Sequence, residues 1–174
     1  MTHNELHSYD LRLRAPEPDD VDRMYIWEND PDMWRYGYSP APLSRHQIWE
    51  YVDTYDADPL SHPELRLMIQ TASDTVGSVD LYNIDMRNRR AFVGIMTARG
   101  HRRKGYAAGA LRLLADYCSH NLGLERLAAV VADDNIPSRA LFEKSGFETV
   151  ATLPNWFRRG KEDFISAHLM ILSL

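Results

Sequence analysis

The chain holds one cysteine, Cys118, among 174 residues. No internal disulfide can form from it, and a reducing, cytoplasmic compartment is the expectation. Its place in an apolar helical pattern reads as a small buried side chain rather than a nucleophile. No apolar run approaches the length that crosses a membrane. The opening Met1-Thr2-His3-Asn4-Glu5 lacks the basic-then-apolar order of a signal peptide. The seven histidines are scattered; His3 and His7 share helical spacing but sit in a polar tail, so no metal site is expected. Repeats and low-complexity tracts are absent. A nucleotide-hydrolysing P-loop is excluded because Lys104 precedes Gly105 and Tyr106 follows it, where that motif needs Gly-Lys-Ser/Thr. What remains is one domain over residues 1–174, with 44% hydrophobic content and enough apolar residues for a single core.

The densest chemical signal is Arg99-Gly100-His101-Arg102-Arg103-Lys104-Gly105-Tyr106-Ala107. The run before it, Ala91-Phe92-Val93-Gly94-Ile95-Met96, reads as a buried strand. After Gly105, the spacing of Ala107, Leu111, Leu114 and Tyr117 predicts an amphipathic helix. A helix N-terminus carries unpaired N–H groups and a positive partial charge, which suits phosphate. Gly105 and Ala107 are small enough to let an anion approach the backbone, and Arg102, Arg103 and Lys104 add charge. A basic, solvent-exposed helix start with no ligand fits the same nine residues.

Charge is unevenly placed along the chain, whose net charge is −5. Residues 1–60 hold thirteen Asp or Glu against five Arg, a net of −8. Residues 86–104 hold seven Arg or Lys and no acid. The cationic block is expected to surround the phosphate site, and the acidic block to face a cationic substrate or to serve solubility. The negative total and the lack of an RNA-binding aromatic motif argue against a nucleic-acid partner. No membrane partner is expected, and a homo-oligomer is left open.

A second segment follows, Asn135-Ile136-Pro137-Ser138-Arg139-Ala140-Leu141-Phe142-Glu143-Lys144-Ser145-Gly146-Phe147, with a predicted strand over 126–131 between the two. The pair, in this order and at this separation, resembles the GCN5-related N-acetyltransferase (GNAT) superfamily. Four further stretches carry the likeness: L-R-L-R-A-P-E-P-D-D, W-E-N-D-P-D-M-W-R-Y, N-R-R-A-F-V-G-I and W-F-R-R-G. They are similar to the branch of spermidine and diamine acetyltransferases and ribosomal-protein N-terminal acetyltransferases. The likeness extends over residues 11–172.

The resemblance implies the following roles. Acetyl-CoA is the co-substrate, with no metal. Backbone groups from Arg102 through Lys104, Gly105 and Tyr106 to Ala107 would cradle its pyrophosphate. Ile95, Met96 and Thr97 would pair with the pantetheine arm like an added strand, one N–H donating to the thioester oxygen. Asn135 would bond the same arm, or merely cap its helix; Ser138, Phe142 and Lys144 belong to the same cofactor-binding segment. On the acceptor side stand Glu28 and Asp80 as candidate bases, with Trp27, Tyr82 and Glu28 binding substrate; Glu28 serves equally as a counter-ion. Phe142 departs from the pattern, since many relatives place there a Tyr thought to protonate the leaving thiolate. Tyr82, Tyr106 and Tyr117 are the other tyrosines that could reach the sulfur. The acceptor is a small cationic amine, a polyamine or diamine such as spermidine. The alternatives are the N-terminus of a ribosomal or other basic protein, and a non-catalytic acyl-CoA sensor.

The elements expected from pattern are strands over 7–14, 66–70, 75–82, 89–96, 126–131, 147–153 and 163–172. Helices are expected from Pro16 to about Asn29, from the Ser44/Gln47 capping box onward, over 105–121 and over 138–145. They make an α+β domain. The resemblance adds a mixed, mostly antiparallel central sheet of about six or seven strands, flanked by about four helices, with its central strands splayed.

Overall fold

A computed structural model describes residues 11–36, 41–56, 58 and 61–174. The part of the first expected strand over 7–10, with His3 and His7, lies outside the described residues. The chain divides into two compact units, Met1–Arg14 with Ala57–Leu174, and Ala15–Asp56.

The larger unit is a mixed seven-stranded sheet. Its strands are β1 (Arg12–Arg14), β2 (Leu65–Gln70), β3 (Thr75–Asp85), β4 (Arg90–Thr97), β5 (Arg126–Ala132), β6 (Glu148–Arg158) and β7 (Phe164–Ser173). They lie in the order β1-β2-β3-β4-β5-β7-β6, and every neighbouring pair is antiparallel except β4 with β5. Alternation decides which face is covered. Val79, Leu81, Ala91, Val93, Leu127 and Ala129 are all buried, while Asp80, Tyr82, Phe92 and Gly94 between them are only partly covered. Helix α4 (Tyr106–His120) packs on β1, β3 and β4, and α5 (Ile136–Lys144) packs on α4, β5 and β6. The apolar stripe of α4 is Ala110, Leu111, Leu113, Leu114 and Cys118, as the spacing from Gly105 requires.

The parallel pair governs where a ligand can sit. Strands β4 and β5 share register only at Arg90↔Arg126, Ala91↔Leu127 and Phe92↔Ala128. Beyond Phe92 and Ala128 each continues for several residues without the other. The splay expected from the resemblance is therefore present. Because the two strands are parallel, the helices that follow them both start at the open end.

The smaller unit is helical: α1 (Val21–Glu28), α2 (Pro31–Trp34) and α3 (Arg45–Asp53). Ser44 Oγ accepts the Gln47 N–H at 3.1 Å and Gln47 Oε1 accepts the Ser44 N–H at 2.8 Å, the reciprocal capping box expected there. Arg45 pairs with Asp22 and lies 4.4 Å over the Tyr25 ring.

Several boundaries differ from the pattern reading. Among the described residues a short further helix, α2, joins the four expected, because Pro31 does not only stop α1. It occupies the first turn of α2, where its missing N–H costs nothing, and Asp30 accepts the Asp32 N–H as cap. Strand β6 runs past Leu153 to Arg158 through Pro154, which an edge strand tolerates. The seven cations of 86–104 do not form one block in space. Arg87, Arg89 and Arg90 precede or begin β4, whereas Arg99 to Lys104 follow it, about 25 Å away by the rise of an eight-residue strand. At that far end Arg89 pairs with Glu125 at 2.5 Å and Arg90 with Asp85 at 3.5 Å.

Cys118 is fully buried, and burial pushes its thiol from 9.0 up to about 12. The unfolded chain then loses the proton before the folded one, so this group's contribution to stability is complete below pH 9 and declines as pH rises toward about 12. The expected outcome is that iodoacetamide leaves Cys118 unmodified in native protein at pH 8 and modifies it on unfolding. Rapid labelling of native protein would contradict its burial.

Candidate functional site

The open end of β4 and β5 presents an unused strand edge. In β4, Ala98 N–H donates to Val76 O at 2.8 Å, and the register opposes Ser78 to Met96 and Gly77 to Thr97. Antiparallel pairs alternate, so Met96 and Gly94 share their backbone groups with β3, and those of Ile95 and Thr97 point to the other edge. No strand among the described residues lies opposite Ile95 or Thr97 on that side. Of the three residues expected to line the edge, Ile95 thus offers its backbone groups and Thr97 its N–H, the Thr97 carbonyl being taken by Arg102, while Met96 turns its own toward Ser78.

Gly77 brings β3 close to this edge. A Cβ built on it would stand 2.1 Å from Met96 O and 3.0 Å from Thr97 Cα, so only glycine permits the approach. Its signal in the sequence was an isolated glycine inside a strand pattern, which marks a close backbone approach.

The chain then turns into α4. Arg103 has φ +61° and Gly105 φ +84°, two left-handed residues in three positions. Such turns aim successive N–H groups into one concavity. Gly105 is the N-cap, and the first helical bond is Gly109 N–H to Gly105 O at 3.0 Å. The N–H groups of Tyr106, Ala107 and Ala108 accordingly have no intrahelical partner. Nothing lies within 4 Å of a Cβ placed on Gly105. Arg102 Nε donates to Thr97 O at 3.1 Å, fastening the loop to the end of β4. Arg102, Arg103 and Lys104 are exposed. The cradle, the cations and the strand edge converge at one end of the sheet.

Helix α5 begins at that end too. Asn135 Oδ1 accepts the Ser138 N–H at 3.3 Å, so the capping role is filled. Its amide nitrogen has no acceptor among the described residues, which leaves two donors available. Phe142 is 3% exposed and packs edge-on against Phe147 at 4.9 Å. Lys144 lies in the last turn of α5, about 13 Å from Asn135 by helix rise, and the structure does not bring it to the helix start.

The acceptor-side residues fall into both units. Glu28 and Trp27 end α1 in the helical unit; the Glu28 carbonyl accepts Trp34 Nε1–H at 2.6 Å. Asp80 and Tyr82 lie on β3 in the sheet unit. Arg66, directly across on β2, donates to Asp80 Oδ1 from Nε at 2.7 Å and to Oδ2 at 3.0 Å. Both oxygens of Asp80 are thereby occupied by one guanidinium, a pairing that sequence reading missed. Tyr82 stacks on Phe92 at 5.5 Å and passes 3.8 Å from the Cβ position of Gly94. Burial raises the Tyr117 hydroxyl, with the neighbouring Cys118 adding to the effect. Among the described residues no group of three or more His, Cys, Asp or Glu side chains is placed to hold a metal ion. No described helix is long and apolar enough to cross a membrane.

Comparison with known proteins bears on the family and the fold. The sequence model of a family described as "Acetyltransferase (GNAT) domain" matches residues 10–148. An uncharacterized N-acetyltransferase p20 of Bacillus licheniformis is 25% identical over 171 residues, covering 96% of this chain and 94% of that protein. The spermidine N(1)-acetyltransferase of Escherichia coli is 25% identical over 150 residues, covering 86% and 79%. Among solved structures, a spermidine N-acetyltransferase from Vibrio cholerae in complex with CoA and spermine superposes with a TM-score of 0.84. Its identity is 23%, with 95% of this chain and 96% of that one covered, a likeness of fold.

Proposed function

The chain belongs to the GNAT family of N-acetyltransferases, and from that premise we propose that it transfers the acetyl group of acetyl-CoA to the primary amine of a polyamine or diamine such as spermidine. The observation that carries the cofactor half is the unpaired β4 edge ending beside the α4 N-terminus. An extended amide arm can add to that edge through Ile95 and Thr97, as a peptide adds to a sheet. The pyrophosphate would then meet the N–H groups of Tyr106 to Ala108 in the open space at Gly105, with Arg103 and Lys104 alongside. Asn135 would give its spare amide donors to the same arm. The bound thioester supplies the electrophilic carbonyl. The Ile95 N–H is the donor at hand for charge developing on that oxygen.

The acceptor half rests on charge and kinship. Residues 15–56 carry ten Asp or Glu against three Arg, a field that gathers polycations. The E. coli relative is named for spermidine. An alkyl amine titrates near ~10.4, so at neutral pH a base must remove its proton before attack. Asp80 is engaged by Arg66, and Glu28, at the end of α1 in the acidic helical unit, is the leading candidate for the carboxylate that serves the acceptor. Phe142 cannot protonate the departing thiolate, and water can.

Thiol release from acetyl-CoA, measured against a panel of polyamines, diamines and basic peptides, tests the proposal. Release dependent on spermidine or a diamine is expected, with a KM that rises with salt as screening shortens from about 10 Å at 0.1 M to about 3 Å at 1 M. Glu28→Gln should raise the KM for spermidine about tenfold with kcat preserved. A kcat that falls at neutral pH and recovers at high pH would instead make Glu28 the base. Release with peptides alone selects the protein N-terminal reading, and acetyl-CoA binding with no amine-dependent release selects the sensor.

A further inference from the structure

The turn between β5 and α5 is anchored by two consecutive acids. Asp134 is gripped by Arg159 from the tip of the β6–β7 hairpin: Nε donates to Oδ2 at 3.2 Å and Nη2 to Oδ1 at 3.0 Å. The pair is well covered, with 14% of the Arg159 side chain and 27% of the Asp134 side chain exposed. Beside it, His168 Nε2 lies 2.8 Å from Asp133 Oδ1, and Arg139 Nη1 lies 3.3 Å from the same ring nitrogen. The next residue, Asn135, gives its N–H to Ala132 O at 2.9 Å and begins α5.

The hairpin does not need this fork to stay in the sheet. Strand β7 is laddered to β5 from Arg126↔Ser173 to Ala132↔Ala167, and Asp133 N–H extends the ladder to Ser166 O at 3.0 Å. Strand β6 is laddered to β7 as far as Arg158↔Phe164. The tip closes on itself, with Arg159 N–H and Gly160 N–H both donating to Asp163 O at 2.7 and 3.2 Å. What the fork fixes beyond these ladders is the turn itself, and with it the angle at which Asn135 and the first turn of α5 face the cleft. A bidentate guanidinium–carboxylate pair sets orientation as well as distance.

We propose that Arg159, acting through Asp134, is a positioning residue for acetyl-CoA: it holds the β5–α5 turn so that Asn135 meets the cofactor's amide arm. This rests on the reading of the β4–β5 cleft as the acetyl-CoA site. In this role Arg159 acts through Asp134 and not on the reacting atoms, so its loss should fall on cofactor affinity and spare the chemical step once acetyl-CoA saturates.

The experiment compares wild-type protein with Arg159→Gln, Arg159→Lys, Asp134→Asn and the Arg159→Gln/Asp134→Asn double variant. It reads CoA affinity by calorimetry, KM and kcat for acetyl-CoA, and the ligand-free thermal midpoint. Arg159→Gln and Asp134→Asn should each weaken CoA and raise the KM about tenfold, with kcat within about twofold. The double variant should be no worse than the poorer single one, because both remove one interaction. Arg159→Lys, which keeps the charge but loses the fork, should recover part of the affinity. Should Arg159→Gln not fold, Asp134→Asn, of nearly unchanged volume, carries the same comparison. A lowered midpoint with unchanged CoA affinity and KM would make the pair scaffold only and overturn the proposal. Wild-type protein that binds no CoA would overturn the reading of the cleft and the proposal with it, so the two failures are distinguishable.

Discussion

Gly105→Val is expected to reduce CoA affinity by at least about a hundredfold, some 2.7 kcal/mol or more, in a protein that still folds. The residue caps α4 at φ +84°, where a β-branched side chain is strained by about 1–3 kcal/mol. That strain is tolerable against a total stability of about 5–15 kcal/mol. Beyond its chain neighbours and its own helix backbone, nothing lies within 4 Å of the new Cβ, so the side chain starts into open space. It would fill the space where the cradle's N–H groups meet phosphate. Gly105→Asn separates strain from obstruction, because Asn visits the left-handed region and caps helices well. Its fold should be near native and its affinity intermediate. Calorimetry giving Gly105→Val the wild-type CoA affinity would remove the pyrophosphate from this turn.

Gly77→Ala should have the largest effect on stability together with a loss of cofactor affinity. The added methyl group meets the Met96 carbonyl oxygen at 2.1 Å, a backbone atom that cannot swing aside. Overpacking of this kind costs about 1–3 kcal/mol, occasionally more. Relief requires β3 and β4 to part at the register Gly77↔Thr97, which shifts the Ile95–Thr97 edge that the amide arm would use. Chemical denaturation should register the destabilisation, and CoA titration of the folded fraction a weakened affinity. Wild-type stability in Gly77→Ala would mean that the two strands approach less closely than described.

The geometry of the loop proposed to hold the cofactor was legible in sequence because the features that suit phosphate are local. A left-handed glycine, a small residue at the helix start and adjacent cations all fall within nine positions, and each has a distinct residue signature. The splay of β4 and β5 was not local, and family resemblance supplied it. Pairings across the sheet left no trace of their own. Arg66 and Asp80 are fourteen residues apart, and Asp134 and Arg159 twenty-five; nothing in either segment names its partner. Bulges were equally hidden. Asn83 and Asn155 have φ of +50° and +52° and sit where β3 and β6 slip register against β4 and β7, which depends on the facing strand. The cationic run misled for a related reason: strand β4 divides it, and linear proximity became opposite ends of an extended element.

Residue-resolved amide hydrogen exchange, with and without CoA, reports directly on whether acetyl-CoA binds at the splayed edge. The Ile95 and Thr97 amides should exchange readily in the free protein and become protected on CoA binding, together with those of Tyr106 to Ala108. The Met96 amide, already facing β3, should be protected in both states. Protection that appears elsewhere while Ile95, Thr97 and the α4 N-terminus stay unchanged would contradict an acetyl-CoA site at the splayed edge.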